Sequence, residues 1–141
     1  MVKKLYVLYR LPFRRKYLLV GTWWLAAYSF VLLTYFTRYA RFGRRTTAPP
    51  ASTANDPLIA DIRYVINRVA PFVPWENKCR HQAYQARLLC RLYGIPYQIS
   101  IGFRRNEAGL IEGHAWTVVG EQMITGFCAP DNFVIQAVYA G

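Results

Sequence analysis

The feature that most constrains the fold of this chain is a run of twenty residues, from Tyr17 to Phe36, without a charged side chain. The run is long enough for one helix across a bilayer. Basic residues flank it on both sides, so the charge asymmetry that orients a spanning helix is weak. No small-residue cleavage site follows, as a secretory signal would require. We therefore predict a helix buried against the rest of the protein or a partner, with a membrane span as the alternative.

Charge divides the chain into two parts. Residues 1–45 hold ten of the 18 Lys and Arg residues and no acidic residue, whereas the remainder carries eight basic and seven acidic residues. The basic part also contains twelve aromatic residues. Such a segment could bind nucleic acid, but no reader motif accompanies it, so we predict no nucleic-acid partner. Contact with a membrane surface or a partner protein is more typical of this composition.

Composition also predicts three segments. Residues 1–42 form a basic, apolar helical segment, and residues 43–55, which are small, polar and proline-bearing, form a linker. Residues 56–141 form the domain proper.

Periodicity within that domain predicts two helices followed by a sheet. The first helix is capped by Asp56 and ends before Pro71, and the second covers residues 78–93 with Asn77 as its cap. Alternating apolar residues and turn signals then predict strands at residues 97–104, 110–119 and 122–125, and a closing strand near residues 133–139.

Cys79 and His114 are the two side chains in settings that thiol catalysis requires. Cys79 lies in the first turn of a predicted helix, where unpaired N–H groups and the helix dipole stabilise a thiolate. Lys78 and Arg80 add positive charge beside it. His114 lies on a predicted strand and is the general base if that strand crosses the helix end. The N–H of Cys79 would face a developing oxyanion, and Trp75 and Asn77 lie in a stretch that could supply a second donor.

The same residues admit a structural interpretation, because a cysteine on a helix face is often an inert core residue and a histidine on a strand can simply be packed. Cys90 and Cys128 lack a catalytic setting, and we predict that they are core thiols. His81 falls on another helical face than Cys79, so we expect it to be exposed or to contact substrate. An odd number of cysteines without Cys-x-x-Cys spacing indicates a reducing compartment and no metal site.

Several short motifs occur in an order typical of one enzyme family. They are Leu11-Pro12-Phe13-Arg14-Arg15, Pro74-Trp75 before Cys79, Gln85 through Leu89, Arg91 through Pro96, Ile101-Gly102 and Gly113-His114-Ala115-Trp116. In this order the chain resembles the transglutaminase-like (papain-like) cysteine protease fold, an α+β fold in which a helix is followed by an antiparallel sheet, here with an N-terminal helical appendage. It resembles most the leader peptidase of lasso-peptide biosynthesis in its split form, over nearly the whole chain.

The resemblance implies a cysteine endopeptidase that cuts between leader and core of a ribosomally made precursor peptide, with Cys79 as nucleophile and His114 as base. It implies two further partners, a separate leader-recognition protein and an asparagine-synthetase-like macrolactam cyclase. It implies no cofactor for this chain and a cytoplasmic location, with peripheral membrane association as the alternative.

The third catalytic residue departs from the family pattern, which has an acid roughly a dozen residues beyond the histidine to orient the imidazole. That stretch holds none here, so Asp131 is our candidate, and a backbone carbonyl or Thr125 is the alternative that would leave a dyad. We predict Trp75, His81 and Trp116 as substrate-binding residues. An acyl transferase of the same fold and a non-catalytic membrane or interaction module remain the competing functions.

Overall fold

The computed structural model describes the backbone of residues 2–141 and the side chains from residue 6 onwards. The helices are α1 (Val2–Arg10), α2 (Phe13–Tyr35), α3 (Pro57–Val69) and α4 (Cys79–Leu92), and the strands are β1 (Arg44–Arg45), β2 (Gln98–Arg105), β3 (Ile111–Val119), β4 (Gln122–Thr125) and β5 (Val134–Ala140). Helices α2, α3 and α4 pack on one another, and α3 and α4 also contact the sheet. The predicted α+β fold with an N-terminal helix is confirmed.

The sheet has five antiparallel strands in the order β1-β5-β2-β3-β4. Strands β2 and β3 form the hairpin that the sequence predicts, closed by a 2.9 Å hydrogen bond from the Gly109 N–H to the Asn106 carbonyl. Strand β5 does not pair with β4, its predecessor in the chain, but lies between β1 and β2. The closing strand is therefore an internal strand of the sheet.

The uncharged run forms α2, which is buried along one face. Its buried residues recur at helical spacing and are Leu18, Thr22, Ala26, Ser29 and Leu33. At its N-terminal end, Arg14 and Arg15 both pair with Asp61 of α3. By length and composition alone α2 also meets the criterion for a membrane span, which the core helix of a soluble protein can meet as well.

The segment predicted as a linker contributes to the sheet. Within it, Arg44 and Arg45 form β1, and the next residue, Thr46, donates its N–H to the Val138 carbonyl of β5 at 2.9 Å. These bonds attach the stretch between α2 and α3 to the last strand.

The helix starts follow from local capping. Asp56 caps α3 as predicted, since its carboxylate accepts the N–H of Leu58 at 2.8 Å. Helix α4 begins at Cys79 with Lys78 as N-cap, one residue later than predicted. Asn77 is not the cap, because its side-chain oxygen instead accepts a 2.9 Å hydrogen bond from the amide of Gln85.

Candidate active site

Cys79 and His114 line one cavity of about 560 Å³. The cavity lies between the first turn of α4, the C-terminal end of α2 with the segment after it, and the β2–β3 pair. Its other lining residues are Leu33, Thr37, Ala40, Phe42, Lys78, Arg80, Ile101, Gly113 and Ala115. The structure thus brings to one site the two residues that the sequence identified as the nucleophile and the base.

Cys79 is the first residue of α4 and is partly buried against the core. The first N–H groups of an α-helix have no acceptor within the helix, so those of Cys79 and Arg80 remain available to a ligand. Together with the helix dipole they stabilise negative charge at this end of the cavity. Lys78 forms an exposed ion pair with Glu76 at 2.6 Å.

His114 is held in one orientation and one tautomer. Its Nε2 lies 2.9 Å from the carbonyl oxygen of Gly126. Because a carbonyl only accepts, Nε2 must carry the hydrogen of this bond, and in the neutral ring the lone pair is then on Nδ1. The ring is stacked on Trp116 and Phe133, with centroid distances of 6.2 and 5.4 Å. Nδ1 is therefore the nitrogen that can act as a base.

The thiol and the imidazole are not hydrogen-bonded to each other. In the part of the chain that the structure describes, the hydrogen bond of the His114 ring goes to Gly126, and none joins the ring to Cys79. The two side chains share a cavity without forming a closed pair. Catalytic hydrogen bonds are often long before substrate binds and shorten in the substrate complex, so proton transfer requires Nδ1 and Sγ to come within hydrogen-bond distance of each other.

Gly126 lies where the family pattern places the acid, twelve residues beyond His114. Its φ is +65°, and a Cβ added to it would overlap the carbonyl oxygen of Ala115. No side chain fits there without a shift of the backbone, so the backbone carbonyl takes the orienting role. Asp131 is exposed in the single turn Pro130–Asn132 and does not hold the ring. The alternative prediction, a backbone carbonyl, matches the geometry.

His81 is fully buried, so the prediction that it is exposed is wrong. Its Nδ1 accepts the backbone N–H of Lys78 at 3.1 Å, which makes it part of the cap of α4. Burial, and then the charge of Arg80, lowers the pKa of the imidazole and keeps it neutral. The ring is therefore inaccessible to a bound peptide. The third helical position, where capping residues reach back to the N-cap, was the signal that could have revealed this role.

The two tryptophans predicted to bind substrate do not line the cavity. Trp116 is only 2% exposed and serves as the surface on which the His114 ring is stacked. Trp75 is partly buried and contacts Trp23 and Phe30 of α2, with centroid distances of 5.2 and 6.4 Å. Neither ring contributes to the lining of the cavity, so substrate binding by these two tryptophans stays a prediction.

The other two thiols differ from Cys79 in setting. Cys90 is fully buried, as predicted, and burial raises its pKa to about 12. Cys128 is only partly buried, contrary to the prediction of a core thiol, although burial still raises its pKa. Among the described residues, no three His, Cys, Asp or Glu side chains are grouped closely enough to hold a metal ion.

Comparison with known proteins assigns the region around the cavity to a family. The family model described as the transglutaminase-like superfamily matches residues 24–136, which is well over half of the chain. The match begins within α2 and ends within β5, so it includes both Cys79 and His114. No curated protein and no solved structure matches the chain significantly.

Proposed function

The chain belongs to the transglutaminase-like superfamily, and from that premise we propose that it is a cysteine endopeptidase that removes the leader from a lasso-peptide precursor. The observation that carries the proposal is the cavity lined by Cys79 at a helix N-terminus and by His114. A nucleophile and a base that a third group orients are the parts that thiol acyl chemistry needs.

The proposed reaction proceeds in two halves. Nδ1 of His114 takes the proton from the Cys79 thiol, and the thiolate attacks the carbonyl carbon of the bond between leader and core. The carbonyl oxygen becomes an oxyanion that the N–H groups at the start of α4 can stabilise, each such donor contributing about 3 kcal/mol. His114 then gives its proton to the leaving amine, which departs with the core. Water, deprotonated by the same nitrogen, hydrolyses the thioester and frees the leader.

The partners follow from the resemblance of the sequence to split-form leader peptidases. We propose that a separate leader-recognition protein presents the precursor peptide, and that an asparagine-synthetase-like cyclase closes the macrolactam ring on the released core. We propose a cytoplasmic location, where the precursor and these partners are made and where free thiols persist.

The test uses the full chain with a precursor peptide and the recognition protein, and mass spectrometry identifies the products. We expect Cys79→Ala to reduce cleavage by about a thousandfold or more. Cys128→Ser is the matched control, since Cys128 is also partly buried but does not line the cavity, and it should cleave within about twofold of the parent. Cleavage by Cys79→Ala at the parent rate would refute the proposal.

The same spectra separate hydrolysis from acyl transfer, the competing reaction of this family. A leader fragment that has gained water indicates a peptidase, whereas a leader joined to an added amine indicates a transferase. If neither forms, the rate of iodoacetamide labelling distinguishes a catalytic thiol from a packing thiol. Equal labelling of Cys79 and Cys128 at neutral pH would support a non-catalytic module.

A further inference from the structure

The face of α2 turned away from the other helices carries a continuous apolar and aromatic surface, here called the outer stripe. It comprises Phe13, Tyr17, Val20, Trp24, Tyr28 and Tyr35, which are 52% to 84% exposed. These residues recur at helical spacing and therefore form one stripe along the helix. An exposed apolar surface of this extent on a chain is typical of an interaction site.

The opposite face of the same helix is fixed to the protein. Ser29 accepts a 3.0 Å hydrogen bond from the buried amide of Gln85, and Arg15 donates to Asp61 at 2.5 Å. A helix that crosses a bilayer would separate Ser29 from Gln85 and Arg15 from Asp61, so the polar groups of α3 and α4 that are buried against α2 would lose these partners. The outer stripe can therefore meet a membrane only from the side, with α2 parallel to the surface.

Charge identifies the kind of surface that suits this stripe. No acidic residue occurs before Asp56, while ten basic residues lie in residues 1–45. Asp61 compensates Arg14 and Arg15, but a second copy of the chain docked through the same face would still bring the other basic residues of two such segments together, which is unfavourable. An anionic surface is complementary to this charge, and each basic residue near it contributes about 1 kcal/mol.

A groove beside the stripe adds an apolar slot. It has a volume of about 430 Å³, and Leu8, Leu19, Trp23 and Trp24 are among the side chains that line it. Arg68 is the one charged residue of its lining. An apolar slot with a cation at its rim fits an acyl chain with its phosphate, and tryptophan and tyrosine rings are favoured at the depth of lipid headgroups.

We propose that the outer stripe docks on the surface of an anionic lipid bilayer, with α2 lying in the headgroup region and the cavity of Cys79 on the other side of the helix layer. This contact involves the outer stripe and the basic residues of the N-terminal segment and is independent of the proposed peptidase reaction. The Cys79→Ala variant should therefore bind membranes as the parent does.

The experiment measures flotation of the full chain with vesicles of phosphatidylcholine alone or with a quarter phosphatidylglycerol. We expect about tenfold stronger binding to the anionic vesicles, and weaker binding at high salt. Trp24→Glu should reduce binding by about tenfold or more, since it removes a large apolar side chain from the contact. Leu110→Glu, at a 66% exposed residue in the β2–β3 turn, is the matched control and should bind like the parent.

Three results would overturn the proposal. Vesicle binding that Trp24→Glu leaves unchanged would place the contact elsewhere, and resistance to alkaline carbonate extraction would indicate a spanning helix. An absence of vesicle binding, combined with a parent dimer that Trp24→Glu converts to monomer, would assign the stripe to a second copy of the chain. Circular dichroism of each variant verifies that it is folded.

Discussion

At the scale of single residues, His114 is oriented by a neutral backbone carbonyl, that of Gly126, and not by a charged carboxylate. A carboxylate in the place of Gly126 would both fix the tautomer and stabilise the imidazolium form, whereas a neutral carbonyl mainly fixes the tautomer. The stacked rings of Trp116 and Phe133 restrict the imidazole further. The geometry of His114 thus depends on the backbone position of one glycine.

This dependence gives a prediction for Gly126→Ala. The new Cβ would overlap the Ala115 carbonyl, so the backbone must shift and carry the Gly126 oxygen away from the ring. A displacement near 1 Å costs about a hundredfold in rate, and we expect that loss in cleavage assays. Gly109→Ala is the control, because Gly109 also has a positive φ, +78°, but has open space for a Cβ.

Gly109→Ala should cost about 1 kcal/mol of stability from backbone strain and leave cleavage unchanged. Thermal unfolding and cleavage are measured for both variants. Equal activity of the two alanine variants would show that the Gly126 carbonyl does not position the histidine.

The sequence singled out Cys79 and His114, which the structure places in one cavity, because their signals are local, namely a helix start and a short strand motif. It could not identify Gly126 as the orienting group, because a carbonyl acceptor depends on how β4 and the following turn meet β3. It misassigned Asp131 for the same reason. Asp131 was predicted because it carries a carboxylate. The position of the turn after β4, however, decides which atom reaches the His114 ring.

At the scale of elements, the proposed reaction depends most on the start of α4, where the cap positions Cys79. His81 accepts the Lys78 N–H, and the Lys78 carbonyl in turn accepts the His81 N–H at 3.0 Å. Each half of this reciprocal pair involves the residue just before Cys79. The cap therefore fixes the backbone from which the side chain of Cys79, the proposed nucleophile, projects.

His81→Ala should lower the free energy of unfolding by about 3 kcal/mol, because it removes a cap and leaves a cavity. His81→Gln is the conservative control, since glutamine at the third helical position can also accept the N-cap N–H. We expect it to retain most of the stability, as measured by urea unfolding. A fully stable alanine variant would contradict the capping role.

The histidine also makes stability depend on pH. Burial depresses the pKa of the folded-state imidazole below its ordinary value of 6.5, so the unfolded state binds a proton first as the pH falls. The parent should lose stability from about pH 6.5 downward, whereas the His81→Gln variant should lack this step.

Helix boundaries were predicted less well than helix existence. The prediction of Asn77 as cap followed the usual preference for asparagine, but Gln85 engages its side chain across the turn. Asp56 was predicted correctly because its cap is made to the next residues of its own helix, without a distant competitor. The sequence therefore predicts a helix cap correctly only where the capping side chain has no competing hydrogen bond to a distant residue.

At the scale of the whole molecule, Asp61 joins the N-terminal helix to the rest of the protein. Burial alone would raise the pKa of its carboxyl, but hydrogen bonds from Arg15 and Arg14 outweigh this and lower the pKa below its ordinary value of 3.8. The stabilisation is therefore present above about pH 4 and is lost as the pH falls through the folded-state pKa.

Asp61→Asn should remove this charge pairing and cost about 2 kcal/mol at neutral pH. The variant should also lack the loss of stability that the parent shows below about pH 4. Urea unfolding at pH 7 and at pH 3 measures both effects. A variant whose stability falls by the same amount as the parent between these values would rule out Asp61 as the titrating group.

The large-scale organisation was only partly predictable. The uncharged run of α2 predicted a helix buried against the rest of the protein or a partner. Only the packing of its buried face, with Leu18, Ala26 and Leu33, identifies α3 and α4 as the elements that it contacts. Residues 43–55 were predicted to be a linker because the two residues of β1, Arg44 and Arg45, are too few to produce an alternating pattern. Pairing of β1 with β5 depends on residues about ninety-five positions away, which no local signal encodes.

The place of β5 in the sheet has a consequence for how the protein is made. Of the five strands it is the last in the sequence, yet it bridges β1, the first of them, and β2. Until residue 140 has emerged, both of those edges are unpaired and able to associate with other chains. The sheet of a nascent chain can therefore be completed only after β5 has been translated.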